Sequence, residues 1–202
     1  MKLNIPFYKQ KRKNECGPVA LQMVLSYFGK SYSRKKLSSL IDSEKSGITW
    51  GIGLAKTSAQ LGFKTEFYST SLGFNSKNYE LEFYKKNSDK VTITKRKISR
   101  LYKEALKFGA EIHEKSLSLK KILTKINNNC VSIVLLDWSR IKGTDKFQGH
   151  FVPIVGYDKK NVYVHNQGRK NPTPYLRIKR RIFEKARKSK GTDQDIIFIY
   201  KE

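Results

Sequence analysis

Two residues of this sequence, Cys16 and His150, could act together as a nucleophile and a base. Cys16 begins an apolar stretch, residues 16–29, in which apolar positions recur with helical spacing. Asn14 is a candidate N-cap of that helix. A thiol in a first turn lies near unpaired N–H groups and the positive end of the helix dipole, and both favour the thiolate. We therefore expect the pKa of Cys16 to lie below the ordinary value of about 8.5.

The base would be His150, one of three histidines in the chain, because it begins an apolar strand directly after a glycine-containing loop. Residues 150–157 and 161–166 are predicted to form a β-hairpin. A three-residue turn would place His150 and Asn166 on one face of the sheet, about 7–8 Å apart at the backbone. A two-residue turn would place them on opposite faces. The sequence leaves both geometries open.

Together, Cys16, His150 and Asn166 could carry out nucleophilic catalysis. The amide oxygen of an Asn can accept a hydrogen bond from one imidazole nitrogen and hold the other nitrogen toward the thiol. Gln10, six residues before Cys16, could donate its amide N–H to an oxyanion together with the backbone N–H of Cys16. The alternative is a buried structural thiol with histidines at strand ends, and the residues alone do not decide between the two.

Composition indicates a folded and strongly basic protein. The chain has 202 residues, of which 38% are hydrophobic, and a net charge of +25 from 42 Lys and Arg against 17 Asp and Glu. Such a charge favours anionic partners, for example nucleic acid or acidic polymers, although the lysines are spread over the whole length. No stretch approaches the ~20 apolar residues of a membrane helix, and no signal peptide is evident. We expect a cytoplasmic protein without membrane insertion.

Neither cysteine is expected to form a disulfide or to bind a metal. Free thiols are the rule in a reducing compartment, and Cys130 begins a continuous apolar run typical of a buried strand. Cys16 and Cys130 are 114 residues apart, and no CxxC or HExxH spacing occurs. We expect no metal and no other cofactor.

The order of predicted elements, helices first and antiparallel strands later, indicates an α+β fold. We expect one domain over residues 1–202. Helices are predicted near residues 16–29, 33–41, 51–62, 95–108, 118–126 and 179–188. Strands are predicted near residues 63–68, 110–116, 130–137, 150–157, 161–166 and 195–200, with an extended arm at residues 3–9 and a polar loop at residues 42–47.

Two motifs of the sequence stand in the order found in a known peptidase family. The first is a Gln followed by Cys-Gly and an apolar helix that ends in aromatic residues and Gly, here Gln10, Cys16-Gly17 and Tyr27-Phe28-Gly29. The second is a His that begins an apolar strand, with an acidic or amide residue after the next strand, here His150 and Asn166. In these motifs the sequence resembles the peptidase C39-like branch of the papain-type cysteine peptidases. Residues 69–115 have no counterpart and form a possible family-atypical insertion.

The resemblance implies a papain-like cysteine peptidase fold, with an N-terminal helical part packed on a C-terminal antiparallel sheet. It implies a stand-alone cysteine peptidase or amide hydrolase acting on a peptide or protein substrate through an acyl-enzyme. Cys16 would be the nucleophile, His150 the general base and acid, Asn166 the orienting residue and Gln10 the oxyanion donor. Most family members have Asp at the position of Asn166, and a neutral amide stabilises an imidazolium less than a carboxylate does.

Two alternatives to hydrolysis remain open. An acyl or peptidyl transferase would use the same residues with an amine or thiol as acceptor. A catalytically silent member would bind nucleic acid or another polyanion through its basic surface, with a steep salt dependence. Trp50, Asp137 and Trp138 are candidates for substrate binding near the cleft.

Overall fold

One sheet of seven strands forms the centre of the computed structural model, which describes residues 1–43 and 46–201. The strands are β1 (Thr65–Ser69), β2 (Glu111–Glu114), β3 (Cys130–Asp137), β4 (Gly149–Tyr157), β5 (Asn161–Asn166), β6 (Thr173–Lys179) and β7 (Ile196–Tyr200). Their order in the sheet is β2-β1-β7-β3-β4-β5-β6. Neighbouring strands are antiparallel except β1 and β2, which are parallel. The predicted α+β class is confirmed.

The described residues form eight α-helices, six of which lie where amphipathic spacing predicted them. They are α1 (Cys16–Tyr27), α2 (Arg34–Ile41), α3 (Gly51–Gln60), α4 (Glu82–Asn87), α5 (Val91–Lys107), α6 (Leu119–Lys125), α7 (Trp138–Lys142) and α8 (Arg180–Arg187). α7 is not among the predicted helices, because five residues are too few to show a helical period. Edge strand β6 was also missed, because Pro174 argues against a paired strand. Residues 44 and 45 of the predicted polar loop lie outside the described residues.

The core lies between the first helix and the middle of the sheet. α1 packs against β3 and β4 and contributes fully buried side chains at Val19, Met23 and Val24. Every residue of β3 is buried, and Cys130 is a fully buried core residue. The continuous apolar run therefore forms a strand that is covered on both faces, as predicted. No helix in the described ranges has the length and apolar character to cross a bilayer.

The hairpin of β4 and β5 contains a β-bulge that decides which side chains share a face. Asp158 N–H donates to Asn161 O at 3.0 Å, so the turn is the two-residue form. Tyr157 pairs with Val162, but Ile154 pairs with Val164, so three steps along β4 match two along β5. The extra residue reverses the face of the sheet to which the side chains of β4 before the bulge point, including that of His150. Because of this bulge, His150 and Asn166 lie on the same face despite the short turn.

The N-terminal arm is extended along this hairpin, as predicted. Leu3 N–H donates to Val155 O at 2.8 Å, and the fully buried ring of His165 contacts Ile5 O through Nε2 at 2.9 Å. Nδ1 of His165 accepts the backbone N–H of Tyr175 at 3.1 Å. Both ring nitrogens of His165 are therefore used in structural hydrogen bonds, and burial lowers its pKa.

Candidate active site

Cys16 is the first residue of α1, and a folded loop precedes it. The carboxylate of Glu15 accepts the backbone N–H groups of Lys11 at 3.1 Å and Arg12 at 2.8 Å. Asn14 has a left-handed backbone with a φ of 61°, and its Nδ2 donates to Oδ1 of Asn87 at 3.1 Å. Glu15 rather than Asn14 occupies the N-cap position. The prediction that Asn14 caps the helix was therefore wrong.

Gly17 allows the first turn of α1 to approach the chain before α3. A Cβ at Gly17 would lie 2.7 Å from Cγ2 of Thr49, closer than packed carbon atoms approach each other. Glycine is therefore required directly after Cys16, because a side chain at this position would prevent the helix from packing against Thr49.

His150, near the start of β4, contacts Asn166 at the end of β5. Nε2 of His150 lies 3.2 Å from Oδ1 of Asn166. The orientation of the amide is fixed because Nδ2 of Asn166 donates to Asn171 O at 2.8 Å, while Oδ1 also accepts Gly168 N–H at 3.1 Å. Oδ1 therefore faces the imidazole, so Nε2 of His150 carries the proton and Nδ1 keeps its lone pair.

Cys16 and His150 line the same cleft, together with Asn166 and Gln10. No hydrogen bond joins the thiol of Cys16 to the imidazole among the contacts of the described residues. Catalytic hydrogen bonds are often long or poorly aligned in the absence of substrate. The structure thus brings the four residues to one cleft, with the His150–Asn166 contact already formed.

Gln10 is buried beside Cys16, and one of its amide hydrogens is in use. Its Nε2 donates to Arg12 O at 2.8 Å, and its backbone N–H donates to Gln167 O at 2.9 Å. The second hydrogen on Nε2 remains for a ligand in the cleft.

Asp137 ends β3 and Trp138 begins α7, and the two side chains have different roles. The ring of Trp138 packs edge-on against the imidazole of His150, with 4.7 Å between centroids, and Trp138 lines the cleft. Asp137 does not line it. Oδ1 of Asp137 accepts Ser139 N–H at 3.1 Å, Ser139 Oγ–H at 2.7 Å and Gln148 N–H at 3.1 Å, so Asp137 caps α7 and holds the loop that follows.

Trp50 lies outside the cleft, contrary to its predicted place in the cleft wall. Its ring stacks on Tyr84, with centroids 5.4 Å apart and an interplanar angle of 10°. It lines a neighbouring cavity that also contains Asp193 and Asp195. Tyr84 also lines the small cavity that contains Cys16.

Gln167 is a site residue that the sequence did not reveal. Its fully buried side chain donates through Nε2 to Cys16 O at 3.0 Å and to Phe151 O at 2.6 Å. One amide thus connects the start of α1 to β4, next to His150. Only its position directly after Asn166 could have drawn attention to it.

Helix α4 supplies one wall beside the thiol. Phe83 and Tyr84 of α4 and Cys16 line a small cavity of about 20 Å³, room for about one water-sized group. This helix therefore limits the space next to Cys16.

The resting electrostatics differ from the sequence expectation. Burial raises the pKa of Cys16, and the backbone N–H groups of Phe151 and Gly17 oppose this only in part. Burial also lowers the pKa of His150 to about 4, although the hydrogen bond that His150 donates to Asn166 acts in the opposite direction. Near pH 7 the thiol and the imidazole are both neutral. The predicted low pKa of Cys16 was wrong, because helix position alone does not account for burial.

The family described as guanylylate cyclase matches residues 5–199, nearly the whole chain. The chain belongs to this family. This guanylylate cyclase family member is 24% identical over 213 residues to guanylyl cyclase 1 of Arabidopsis thaliana, covering 98% of this chain and 76% of that relative.

Solved structures similar to this guanylylate cyclase family member are peptidase domains. A C39-like peptidase from Bacillus anthracis has a TM-score of 0.61 at 13% identity, over 100% of this chain and 98% of that one. The peptidase domain of Streptococcus ComA, a bifunctional ABC transporter, has a TM-score of 0.55 at 14% identity, over 98% and 100%. The double-glycine-motif protease of a PCAT transporter has a TM-score of 0.56 at 16% identity, over 99% and 93%. The predicted C39-like, papain-like fold is confirmed.

Proposed function

We propose that this protein is a thiol hydrolase that cleaves a peptide or amide bond through an acyl-enzyme on Cys16. The observation that supports it best is the 3.2 Å contact between Nε2 of His150 and Oδ1 of Asn166, in the cleft that Cys16 also lines. This contact leaves Nδ1 of His150 as the basic nitrogen. A nucleophile, a base and an orienting amide are the groups that such catalysis requires.

In the proposed reaction, proton transfer accompanies nucleophilic attack because both groups start neutral. Nδ1 of His150 takes the thiol proton of Cys16 while the sulfur bonds to the substrate carbonyl carbon. His150 then gives this proton to the amide nitrogen, which leaves as an amine. Water attacks the resulting thioester, with one proton passing through His150 back to the sulfur, and the acid is released.

Groups around Cys16 and His150 would stabilise the oxyanion and the imidazolium that form during the reaction. The backbone N–H of Cys16 and the second amide hydrogen of Gln10 would donate to the oxyanion. Trp138 covers one side of the imidazole at 4.7 Å between centroids and limits water around the His150–Asn166 bond. A transferase would use the same acyl-enzyme, with an amine or thiol replacing water.

A second candidate is the cyclase activity named for the family. The observation that favours it is the position of several Lys and Arg side chains around the cleft, where they could contact a nucleoside triphosphate. In the described ranges, no three side chains of His, Cys, Asp or Glu converge as a possible metal site. The cations would therefore be the groups of this chain that contact the phosphates.

One experiment with two substrates separates the candidates. Purified protein and a Cys16→Ala variant are incubated with a peptide library, and new termini are identified by mass spectrometry. In parallel, both proteins receive GTP with Mg²⁺ or Mn²⁺, and cyclic GMP is measured. Peptide cleavage by the wild type alone supports the hydrolase. If the wild type and Cys16→Ala form cyclic GMP equally and neither cleaves a peptide, the cyclase replaces the hydrolase as the function of this protein.

A further inference from the structure

Cations on three loops surround the cleft of Cys16. They are Lys9, Lys11 and Lys13 before α1, Lys142 and Lys146 at and after α7, and Arg169 and Lys170 after β5. All of them are exposed. The described residues that line this cleft include no Asp and no Glu, so its wall carries charge of one sign.

Most of these cations make no ion pair within the described part of the chain, although the Glu15 carboxylate accepts the backbone N–H of Lys11 at 3.1 Å. Lys146 lies 3.8 Å from Glu82, but Lys9, Lys11, Lys13, Arg169 and Lys170 make no ion pair with a described carboxylate. Some cations elsewhere on the molecule are paired, as between Lys190 and Glu80 at 2.9 Å, although 42 Lys and Arg against 17 Asp and Glu leave many others without an ion pair. The charge of the cleft is therefore not neutralised by the protein itself and is available to a ligand.

We infer that the substrate of this site is an acidic peptide segment, whose carboxylates contact the three cationic loops while one of its carbonyl groups reaches Cys16. This inference rests on the proposed hydrolase function for the identity of the reacting group. The cleft has a volume of about 1060 Å³, at the upper limit of the range of about 300–1,000 Å³ typical of small-molecule sites. Its cations are distributed over three loops rather than gathered at one point. An extended chain with several separate charges fits that distribution.

The aromatic side chains of the cleft favour a peptide over a nucleic acid. Single-stranded nucleic acids bind through bases stacked on free aromatic faces. Here Phe147 packs against Phe83 at 5.5 Å and Tyr84 at 5.6 Å between centroids, and Trp138 packs against His150. These rings contact one another and are not presented singly as stacking platforms.

The test measures whether an acidic peptide enters the cleft. The probes are a peptide of alternating Glu and Ala and its counterpart with Gln at each Glu, both labelled with fluorescein. Affinity is read by fluorescence anisotropy, and occupancy of the cleft by the rate at which iodoacetamide alkylates Cys16, followed by mass spectrometry. We expect the Glu peptide to bind and slow alkylation, the Gln peptide to do neither, and the effect to weaken as salt is raised.

Matched variants separate the cleft from the general surface charge. A cleft variant (Lys11→Gln, Lys146→Gln, Arg169→Gln) removes one cation from each loop. A control variant (Lys30→Gln, Lys107→Gln, Lys120→Gln) removes three exposed cations that do not line the cleft. We expect the cleft variant to lose roughly tenfold in affinity for the Glu peptide, as three exposed ion pairs suggest, and the control to retain it. Melting temperatures verify that both variants are folded.

Three outcomes would overturn the inference. These are equal loss of affinity in both variants, equal protection of Cys16 by the Gln peptide, and stronger protection by GTP or polyuridine than by the Glu peptide. Failure of the hydrolase proposal is recognised separately. If the Glu peptide protects Cys16 but an activated ester does not acylate Cys16, the hydrolase proposal alone is contradicted. If the ester acylates Cys16 but the protein does not prefer the Glu peptide to the Gln peptide, the proposed substrate class alone is contradicted.

Discussion

Nε2 of His150 lies 3.2 Å from Oδ1 of Asn166, and this contact determines which nitrogen of the ring is left for Cys16. The Asn166 amide cannot turn without losing its bonds to Asn171 O and Gly168 N–H. The imidazole is therefore held as the Nε2–H tautomer. A neutral partner holds the ring in place but adds no charge to stabilise an imidazolium.

Replacing Asn166 by Asp should raise the pKa of His150. A carboxylate next to the ring favours its charged form, so the pKa should move upward from about 4. NMR titration of the imidazole protons in wild type and Asn166→Asp measures this shift. His165 serves as internal control, since its ring contacts Ile5 O and Tyr175 N–H instead. An unchanged titration of His150 would show that the two side chains are not in contact.

Replacing Gln167 by Leu should reduce both stability and acylation of Cys16. The variant leaves Cys16 O and Phe151 O without the donor at 3.0 and 2.6 Å, and an unpaired buried polar group costs about 1–3 kcal/mol. Urea unfolding and the acylation rate by an activated ester are the measurements.

Gln22→Leu is the matched control for Gln167. The side chain of Gln22 also donates to a backbone carbonyl, Tyr32 O at 2.9 Å, but it does not line the cleft. The Gln22→Leu variant should be less stable than the wild type but should be acylated at Cys16 at the same rate. Equal acylation rates in the Gln167 variant and the wild type would contradict a positioning role.

Acid should destabilise the fold through His150. The folded protein keeps this ring neutral down to about pH 4, whereas the unfolded chain binds the proton near pH 6.5. Stability is therefore complete above pH 6.5 and decreases by up to about 3 kcal/mol as the pH falls toward 4. Urea midpoints measured across this range should fall less steeply for His150→Gln than for wild type. Identical slopes in the wild type and His150→Gln would refute this source of acid sensitivity.

Local patterns in the sequence predicted much of the fold. Helical spacing identified α1, with Val19 and Met23 in the core, and the apolar run from Cys130 identified the central strand. The helix predicted from residue 33 is α2, and the hydroxyl of Ser33 caps it by accepting Lys36 N–H at 3.2 Å. Each of these features depends on residues that are close together in the chain.

Features that depend on distant contacts could not be predicted. The shared face of His150 and Asn166 arises from a bulge in β4 rather than from the length of the turn. Gly156 lies at this bulge, but a glycine within a strand suggests a bulge without fixing its register. The pKa of Cys16 is raised by burial, and Phe83 and Tyr84 of α4 line the small cavity beside it. Gln167 acts through two carbonyls from distant parts of the chain.

The most direct test of the proposed function is acylation of Cys16 by p-nitrophenyl acetate at pH 7, followed by mass spectrometry of the Cys16 and Cys130 peptides. We predict that wild type is acylated at Cys16 much faster than at Cys130. His150→Ala should slow that acylation by about 10²–10⁴-fold, as expected for loss of a general base. Equal rates in wild type and His150→Ala, or acylation of Cys130 as fast as of Cys16, would contradict the proposal that Cys16 and His150 form a catalytic pair.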